Sequence, residues 1–254
     1  MSLVEIQNIN MNYHSPQGET EALKNISLNI QEGDFISIIG PSGCGKSTLL
    51  NIMCGLLKPS SGKILLEGKE INEMDNRIGY MFQKDHLFEW LNLWENVSLG
   101  LKIQKKLNKK TKEYLENLLD SYGLSSFKKH YPNELSGGMR QRAALIRTLA
   151  LSPHILLLDE PFSALDYQTR LKVCDEIFQI IKNAGKTVVM VTHDIAEAIS
   201  TSSRVVVLSK RPSSIKKEIL LEFSNEYETP LHRREAPEFR NYFNTIWKEL
   251  DFNE

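Results

Sequence analysis

The sequence has few of the features that mark secreted, metal-binding or membrane-spanning proteins. Only three of its 254 residues are cysteines, and they lie in unrelated contexts without the spacing of a zinc knuckle. A small, odd number of cysteines argues against a disulfide scaffold and predicts a reducing compartment. No apolar run approaches the roughly eighteen residues that span a bilayer, and the residues after Met1 do not resemble a signal peptide. We therefore expect a soluble protein.

Strong net charge is lacking as well. The formal net charge is −1 and the sequence pI is about 6.6. Such a chain has no overall basic field, so we do not expect a nucleic-acid partner. Neither internal repeats nor low-complexity linkers interrupt the sequence. Its 41% hydrophobic residues suffice for the core of one large domain or of two lobes.

The most informative stretch has the spacing G-x-x-x-x-G-K-[ST], which is typical of a phosphate-binding loop. An apolar run at 34–39 precedes it and predicts a strand buried on both faces, and residues 47–54 continue as a predicted helix. The stretch consists of Gly40, Pro41, Ser42, Gly43, Cys44, Gly45, Lys46, Ser47 and Thr48. The order of strand, loop and helix favours a loop that binds ATP or GTP over an ordinary glycine-rich turn.

The residue types of this loop suit a triphosphate. Its three glycines permit backbone angles that other residues avoid, so that successive N–H groups turn inward around the phosphates. The start of the following helix attracts the same anion, and Lys46 adds a positive charge for the β- and γ-phosphates. We expect Ser47 to ligate Mg²⁺. Cys44 lies among the same N–H groups and close to Lys46, which predicts a reactive thiol.

The remaining patterns predict an α/β fold. Alternating apolar residues at 3–13 and 23–30 indicate an antiparallel β region, and further strands are predicted at 62–67, 77–82, 154–160, 187–191 and 204–208. A helix is predicted at 168–184, with Leu171, Cys174, Phe178 and Ile181 on its buried face. Asp194 and Glu197 are predicted to cap the next helix. Strands that alternate with helices are typical of a doubly wound, mostly parallel sheet.

Helical periodicity dominates from residue 85 to residue 152, which predicts an inserted helical subdomain. Its apolar stripe comprises Tyr114, Leu115, Leu118, Leu119 and Tyr122, and Asn92 with Glu95 forms a predicted capping box. We assign 1–84 and 153–210 to an α/β core and 211–254 to a short C-terminal extension. The aromatic residues near Trp90 either pack this subdomain or form a partner-binding surface.

The segment Leu135-Ser-Gly-Gly-Met139 resembles the signature of the ATP-binding cassette (ABC) ATPases. Nearly the whole chain follows the motif order of that family. In this order, the matching residues are Tyr13, the loop from Gly40 to Thr48, Gln83, the signature, Asp159 with Glu160, the stretch from Ser163 to Asp166, and His193. The resemblance implies an α/β P-loop core with a mostly parallel sheet, an N-terminal antiparallel β region and an inserted helical subdomain.

The resemblance also implies a role for each matching residue. Tyr13 stacks on adenine, and Asp159, Ser47 and Gln83 hold Mg²⁺. Glu160 orients or deprotonates the attacking water, and Gln83 and His193 contact the water and the γ-phosphate. Ser136, Gly137 and Gly138 bind the ATP of a second copy, since they form an anion-binding helix start that has no lysine of its own. Two head-to-tail copies then complete two ATP sites.

Further similarity, at 82–97 and 208–215, is to the nitrate, sulfonate and taurine branch of import ATPases. Glu89 stands where that branch usually has a proline, and Ser213 where it often has a glycine. The resemblance implies a peripheral subunit on the cytoplasmic face of the membrane. Its partners are a second copy of itself, two membrane-spanning permease subunits and, through them, an extracytoplasmic substrate-binding protein. The segment after Gln83 then grips a short permease helix.

Other interpretations of these motifs stay open. A lipid or lipoprotein exporter shares every catalytic residue, and an ABC switch protein of translation or DNA repair shares the ATP site. Switch proteins usually carry two cassettes or a long coiled-coil insertion, and neither is present in this sequence. The signature at 135–139 argues against a simple nucleotide kinase.

Overall fold

The computed structural model describes residues 2–16 and 18–250. The last four positions of the predicted C-terminal extension, 251–254, lie outside the described residues. None of the described helices combines the length and the apolarity that a bilayer crossing requires.

The strands and helices predicted from the sequence occur in the predicted order, and the structure adds a two-residue strand at Lys69–Glu70 and a four-residue helix at Pro230–Arg233. The strands are β1 (Ser2–Ser15), β2 (Gly18–Gln31), β3 (Phe35–Ile39), β4 (Ser61–Leu66), β5 (Lys69–Glu70), β6 (Ile78–Met81), β7 (Ile155–Asp159), β8 (Thr187–Val191), β9 (Arg204–Leu208) and β10 (Ile215–Leu220). The helices are α1 (Lys46–Met53), α2 (Leu93–Ile103), α3 (Lys109–Ser121), α4 (Gly137–Leu149), α5 (Tyr167–Asn183), α6 (Ile195–Thr201), α7 (Pro230–Arg233) and α8 (Phe239–Glu249).

Two sheets form the framework. The first is antiparallel with the order β2-β1-β4-β5, and the second has the order β10-β9-β3-β8-β7-β6. In the second sheet only β10 runs antiparallel to its neighbour. The predicted fold class, with its N-terminal antiparallel β region and mostly parallel sheet, is confirmed.

The central strand β7 shows why the buried strands of the parallel sheet are apolar at every position. Leu156 and Leu158 pack with the helical segment, whereas Ile155 and Leu157 pack with the antiparallel sheet and α1. Successive side chains of a strand point to opposite faces, so a strand covered on both faces is apolar at every position. The sequence pattern therefore follows directly from the two layers.

The helical segment matches its predicted pattern. Asn92 accepts a hydrogen bond from the Glu95 N–H, and the Glu95 carboxylate accepts one from the Asn92 N–H, which completes the predicted capping box. Leu115, Leu118 and Leu119 are buried, while the flanking tyrosines of the stripe are half-buried. In α5 the predicted Cys174, Phe178 and Ile181 are buried, whereas Leu171 is half-exposed.

The capping prediction for α6 is only half right. Asp194 accepts a hydrogen bond from the Glu197 N–H, as expected of an N-cap. Glu197 does not complete the box, because its buried carboxyl group accepts a hydrogen bond from the Thr192 hydroxyl instead. Asp194 therefore caps α6, whereas Glu197 binds Thr192 in the turn before that helix.

Charged residues connect parts of the C-terminal segment to one another, and Arg233 attaches the segment to the core. Lys216 and Lys217 form ion pairs with Glu249 of α8. The guanidinium of Arg233 lies between the rings of Phe178 and Phe223 and donates to backbone carbonyls at the end of α6. These contacts fix the segment beside α6 and the edge of the parallel sheet.

Candidate active site

The phosphate-loop motif forms the turn between β3 and α1. Gly43 and Gly45 have φ values of +72° and +118°, which L side chains rarely adopt. A Cβ at Gly45 would also lie 2.8 Å from Cδ2 of Leu23. Backbone conformation and close packing therefore both require glycine at this point of the loop.

Gly40 is required for a different reason from the one that the sequence suggested. Its φ is not positive, but a Cβ there would lie 2.9 Å from Sγ of Cys44 and 3.1 Å from Cβ of Leu208. The same packing buries Cys44, which is 1% exposed. The expectation of a reactive thiol is therefore wrong, since a reagent does not reach the sulfur.

Lys46 lies inside the loop. Its side chain is buried, and Nζ donates to the carbonyl oxygens of Gly40 at 2.8 Å and Pro41 at 3.0 Å. The ammonium group is thus held within the concavity of the loop, where a phosphate oxygen would attract it.

Three further strands end at the same edge of the sheet, and each delivers a predicted residue. Gln83 follows β6, Glu160 follows β7 and His193 follows β8. Gln83 Nε2 donates to Glu160 Oε2 over 3.0 Å, and His193 Nδ1 lies 3.1 Å from the same oxygen. The carboxyl ends of neighbouring parallel strands meet at one edge, which brings together residues that are far apart in sequence.

Glu160 has a φ of 44°, in the left-handed region. A non-glycine residue rarely adopts this conformation, and such residues cluster at functional sites. The Glu160 N–H donates to the carbonyl oxygen of Val191 at 2.8 Å, so the neighbouring strand holds the turn. The carboxylate is therefore fixed between the ends of β7 and β8.

These residues line one open cavity of about 740 Å³. Its lining comprises Gly40, Pro41, Ser42, Gly43, Gly45, Lys46, Ser47, Thr48, Gln83, Glu160, His193, Arg211 and Leu250. The cavity thus combines a phosphate-binding loop with a carboxylate, an amide and an imidazole, which are the groups that hydrolysis of a phosphoanhydride requires.

Asp159 lies behind the loop. Its Oδ1 accepts a hydrogen bond from Ser47 Oγ at 3.1 Å, and its Oδ2 accepts one from Tyr80 Oη at 3.3 Å. Burial raises the pKa of Asp159, and the hydrogen bonds from Ser47 and Tyr80 oppose that effect. In the described residues, no three His, Cys, Asp or Glu side chains form a metal site on their own. This arrangement fits Mg²⁺, which usually binds one or two protein oxygens together with substrate phosphates.

The signature residues lie apart from the cavity. Ser136 is exposed and caps α4, accepting a hydrogen bond from the Met139 N–H at 3.3 Å, and Gly137 and Gly138 begin the helix. None of the three lines the cavity. Arg140 of the same helix donates to the carbonyl of Leu135 and to Asp85. The start of α4 is therefore capped by the exposed Ser136 and held by Arg140, with Gly138 buried against the core.

Tyr13 also lies outside the cavity lining, but it is close to the loop. Its Oη is 3.1 Å from Oγ1 of Thr48, and the residue is 42% exposed. The ring is thus available for a stacking partner beside the start of α1.

Two residues of the lining, Arg211 and Leu250, were not predicted from the sequence. Arg211 follows β9, and Leu250 follows α8. Gln83, Glu160 and His193 were predicted because the carboxyl ends of parallel strands meet at one edge. The same argument applies to the end of β9 and could have predicted Arg211. For Leu250 no sequence signal exists, because its placement depends on how α8 packs.

Comparison with known proteins gives one consistent result. Residues 23–163 match the family model described as ABC transporter. An uncharacterized ABC transporter ATP-binding protein of Bacillus subtilis, YtlC, is 47% identical over 251 residues, which cover 99% of this chain and 96% of that protein. The taurine import ATP-binding protein TauB of Ruegeria pomeroyi is 42% identical over 226 residues, covering 89% and 84% of the two chains.

A solved structure agrees with these relatives. It is the dimeric, post-hydrolysis structure of the ATP-binding cassette MJ0796 bound to ADP and Pi. The two chains are 37% identical with a TM-score of 0.74, and the match covers 87% of this chain and 99% of that one.

Proposed function

This chain belongs to the ABC transporter family and is an ABC transporter ATPase, and from that premise we propose that it drives solute import as a head-to-tail dimer beneath two permease subunits. One observation carries the proposal. The cavity gathers a phosphate-binding loop with Gln83, Glu160 and His193, whereas the Ser136 helix start points to solvent outside that cavity. Each copy thus holds one complete loop and one half-site without a loop.

Within one copy, Glu160 is the group that activates water. Its Oε2 accepts a hydrogen bond from Gln83 and lies beside His193 Nδ1, so one oxygen is held in place while the other is available to a water molecule. A carboxylate at hydrogen-bonding distance accepts the water proton as the bond between the water oxygen and the γ-phosphorus forms, while the bond from the γ-phosphorus to the bridging oxygen breaks and ADP leaves. His193 then donates a hydrogen bond to the γ-phosphate, where negative charge develops.

Mg²⁺ would be held by Ser47 and Asp159, with Gln83 as a further ligand. Ser47 Oγ and Asp159 Oδ1 are 3.1 Å apart, close enough to share one ion with the phosphates. When bound, the ion neutralises charge on the β- and γ-oxygens. Tyr80, which donates to the second oxygen of Asp159, fixes the orientation of that carboxylate.

The exposed helix start needs a ligand that this copy does not supply. A helix start with glycines attracts a phosphate, and in the head-to-tail arrangement it meets the ATP bound by the other copy. The dimeric structure reported for MJ0796 supports this arrangement. Because the two half-sites are related by a two-fold axis, ATP closes two sites at once.

A complementation experiment tests the arrangement. Lys46→Ala destroys the loop and Ser136→Arg blocks the helix start, so each variant alone is expected to be inactive. In an equal mixture, about half of the dimers contain one copy of each variant, and one of their two sites is complete. We expect the mixture to recover up to about one quarter of the wild-type ATPase activity.

Light scattering gives a second measurement. Glu160→Gln protein in ATP and Mg²⁺ is expected to double in mass, because ATP is bound but not cleaved. A mixture of Lys46→Ala and Ser136→Arg that stays inactive, together with Glu160→Gln protein that stays monomeric, contradicts the dimer.

The segment from Phe82 to Leu91 supports the assignment of permease partners. Trp90 is 72% exposed, and its ring lies 4.9 Å from that of Phe88. Trp94, by contrast, packs against the core of the helical segment. Trp90 and Phe88 therefore form an apolar surface suited to a partner helix.

The same segment joins that surface to both halves of the ATP site. It contains Gln83 of the cavity, and its Asp85 forms an ion pair with Arg140 of α4 at 3.1 Å. Arg147 of that helix donates to the carbonyl oxygens of Asp85 and His86. In the proposed function, these contacts transmit movement of the segment to the cavity and to α4.

The relative TauB, a taurine import protein, supports a substrate in the nitrate, sulfonate and taurine class. In this assignment the protein is peripheral on the cytoplasmic face of the membrane, and a binding protein delivers the solute to the permease. Purification from membranes with bound partners tests the assignment. Recovery of an exporter-type permease, or of ribosomes or DNA, favours one of the alternative roles instead.

A further inference from the structure

Among the parallel strands of the described residues, β9 is the one whose carboxyl end has not yet been assigned a role, and Arg211 follows it. β9 pairs in parallel with β3, with Val207 opposite Ile39, so the residues after β9 emerge next to the phosphate-binding loop. β3, β6, β7 and β8 each deliver a residue of the predicted ATP site at this edge. Because the carboxyl ends of parallel strands meet at one edge of the sheet, β9 places Arg211 at the same edge.

The side chain of Arg211 reaches the loop directly. Its Nη2 donates to the carbonyl oxygen of Gly43 at 2.5 Å, and the residue lines the same cavity as Lys46 and Glu160. One of its five N–H groups is used in this bond, which leaves the others for a ligand.

The backbone that carries Arg211 is firmly held. Ser213, two residues later, is fully buried, and its N–H donates to the carbonyl of Ala22 while its own carbonyl accepts from the N–H of Lys24. Leu23, between these two partners, is the residue that packs against Gly45. One segment of β2 therefore supports both the phosphate-binding loop and the loop of Arg211.

Within residues 2–16 and 18–250, no carboxylate forms an ion pair with Arg211. A planar guanidinium binds phosphate through two parallel hydrogen bonds, which makes an unpaired arginine beside a phosphate loop a suitable second cation.

We propose that Arg211 binds the terminal phosphates of ATP together with Lys46. Lys46 contacts the carbonyls of Gly40 and Pro41, and Arg211 contacts that of Gly43, so both cations lie at the first half of the loop. The lysine of such a loop reaches the β- and γ-phosphates. Arg211 is therefore directed at the γ-phosphate end, and it favours ATP over ADP. This assignment deepens the proposed function and rests on ATP occupying this cavity.

Nucleotide titration separates a phosphate contact from a mere brace of the loop. We compare the dissociation constants of a non-hydrolysable ATP analogue and of ADP by calorimetry, at protein concentrations where light scattering shows a monomer. Arg211→Ala is expected to weaken the ATP analogue about tenfold or more, because a charge-assisted hydrogen bond is lost. Binding of ADP is expected to change less than about threefold. Arg211→Lys, which keeps the charge but not the fork, is expected to be intermediate.

Lys210→Ala is the matched control, since this neighbouring residue is exposed and does not line the cavity. It removes one positive charge from the same loop and is expected to bind both nucleotides as the wild type does. Equal weakening of both nucleotides by Arg211→Ala, or no weakening of either, overturns the proposal. If Arg211→Ala does not fold, the comparison of Arg211→Lys with wild type decides by the same criterion. Failure of the wild type to bind ATP would instead contradict the proposed function.

Discussion

Thr192 Oγ1 lies 2.5 Å from Oε2 of Glu197, so a buried carboxyl group is hydrogen-bonded to the residue immediately before His193. The Thr192 oxygen also accepts a hydrogen bond from the Asp194 N–H. These bonds fix the turn on which His193 stands. The turn and the helix after it therefore share one buried titratable group.

From the raised pKa of the buried Glu197 carboxyl group, we predict that the stability of the protein depends on pH. Burial raises its pKa to about 7, against the opposing effects of the Thr192 hydrogen bond and of Arg170 and His193, whereas the charge of Asp194 adds to the rise. The native state then holds a proton that the unfolded chain releases at a lower pH. The free energy of unfolding therefore falls as pH rises from about 4.5 to about 7, by on the order of 3 kcal/mol.

Glu197→Gln removes this titration and keeps an acceptor for Thr192. The stability of the variant relative to wild type is expected to increase between pH 5 and pH 8, as measured by urea unfolding at several pH values. Glu116→Gln, at an exposed position of α3, serves as the control and should follow the wild-type profile. Parallel profiles for Glu197→Gln and wild type would show that the carboxyl group does not titrate in this range.

Glu160→Gln is expected to abolish most hydrolysis without loss of ATP binding. The amide keeps the hydrogen bonding around Gln83 but accepts no proton, so the rate of phosphate release should fall by about 10²- to 10⁴-fold. ATP affinity, measured by equilibrium titration, should stay within a few-fold of wild type. Glu113→Gln, on the surface of α3, controls for the loss of a carboxylate. Retention of full ATPase activity by Glu160→Gln would assign the base to another residue.

Trp90→Ala is expected to separate ATP hydrolysis from transport. Because the indole is mostly exposed, its removal should change the free energy of unfolding by less than about 0.5 kcal/mol and leave the isolated ATPase intact. Solute uptake in vesicles that contain the permease should be lost. Trp247→Ala, which removes another exposed tryptophan from α8, should leave both activities unchanged. Equal losses of ATPase activity and uptake in Trp90→Ala would instead indicate a packing role.

Gly62→Ala is expected to destabilise the antiparallel sheet. Gly62 has a φ of +86°, and a Cβ there would lie 2.4 Å from the carbonyl oxygen of Asn8. Gly68 has a φ of +75°, but no atom lies within 4 Å of its Cβ position. Gly68→Ala should therefore cost about 1 kcal/mol from backbone conformation alone, and Gly62→Ala about 2–4 kcal/mol because a clash is added. Urea unfolding measures both, and equal costs would rule out the clash.

The sequence by itself determined most of the strands, most of the helices and the phosphate-binding loop. Runs such as 155–159 are apolar at every position because both faces of the strand are covered, and that requirement is visible in the residues alone. The loop was equally visible, since Gly43, Gly45 and Lys46 follow from local backbone geometry and charge. The sequence pattern is sufficient for these features, because strand burial and loop conformation are set by the types of neighbouring residues.

Contacts between distant segments were decided only by the tertiary structure. Burial of Cys44 in the core around the antiparallel sheet, burial of the Glu197 carboxyl group and the position of Arg233 between two aromatic rings depend on packing between such segments. Arg211 and Leu250 join the nucleotide cavity only because β9 lies beside β3 and α8 packs behind it. Strand order in a parallel sheet is set by crossover connections through the whole core, and no short segment of sequence encodes it.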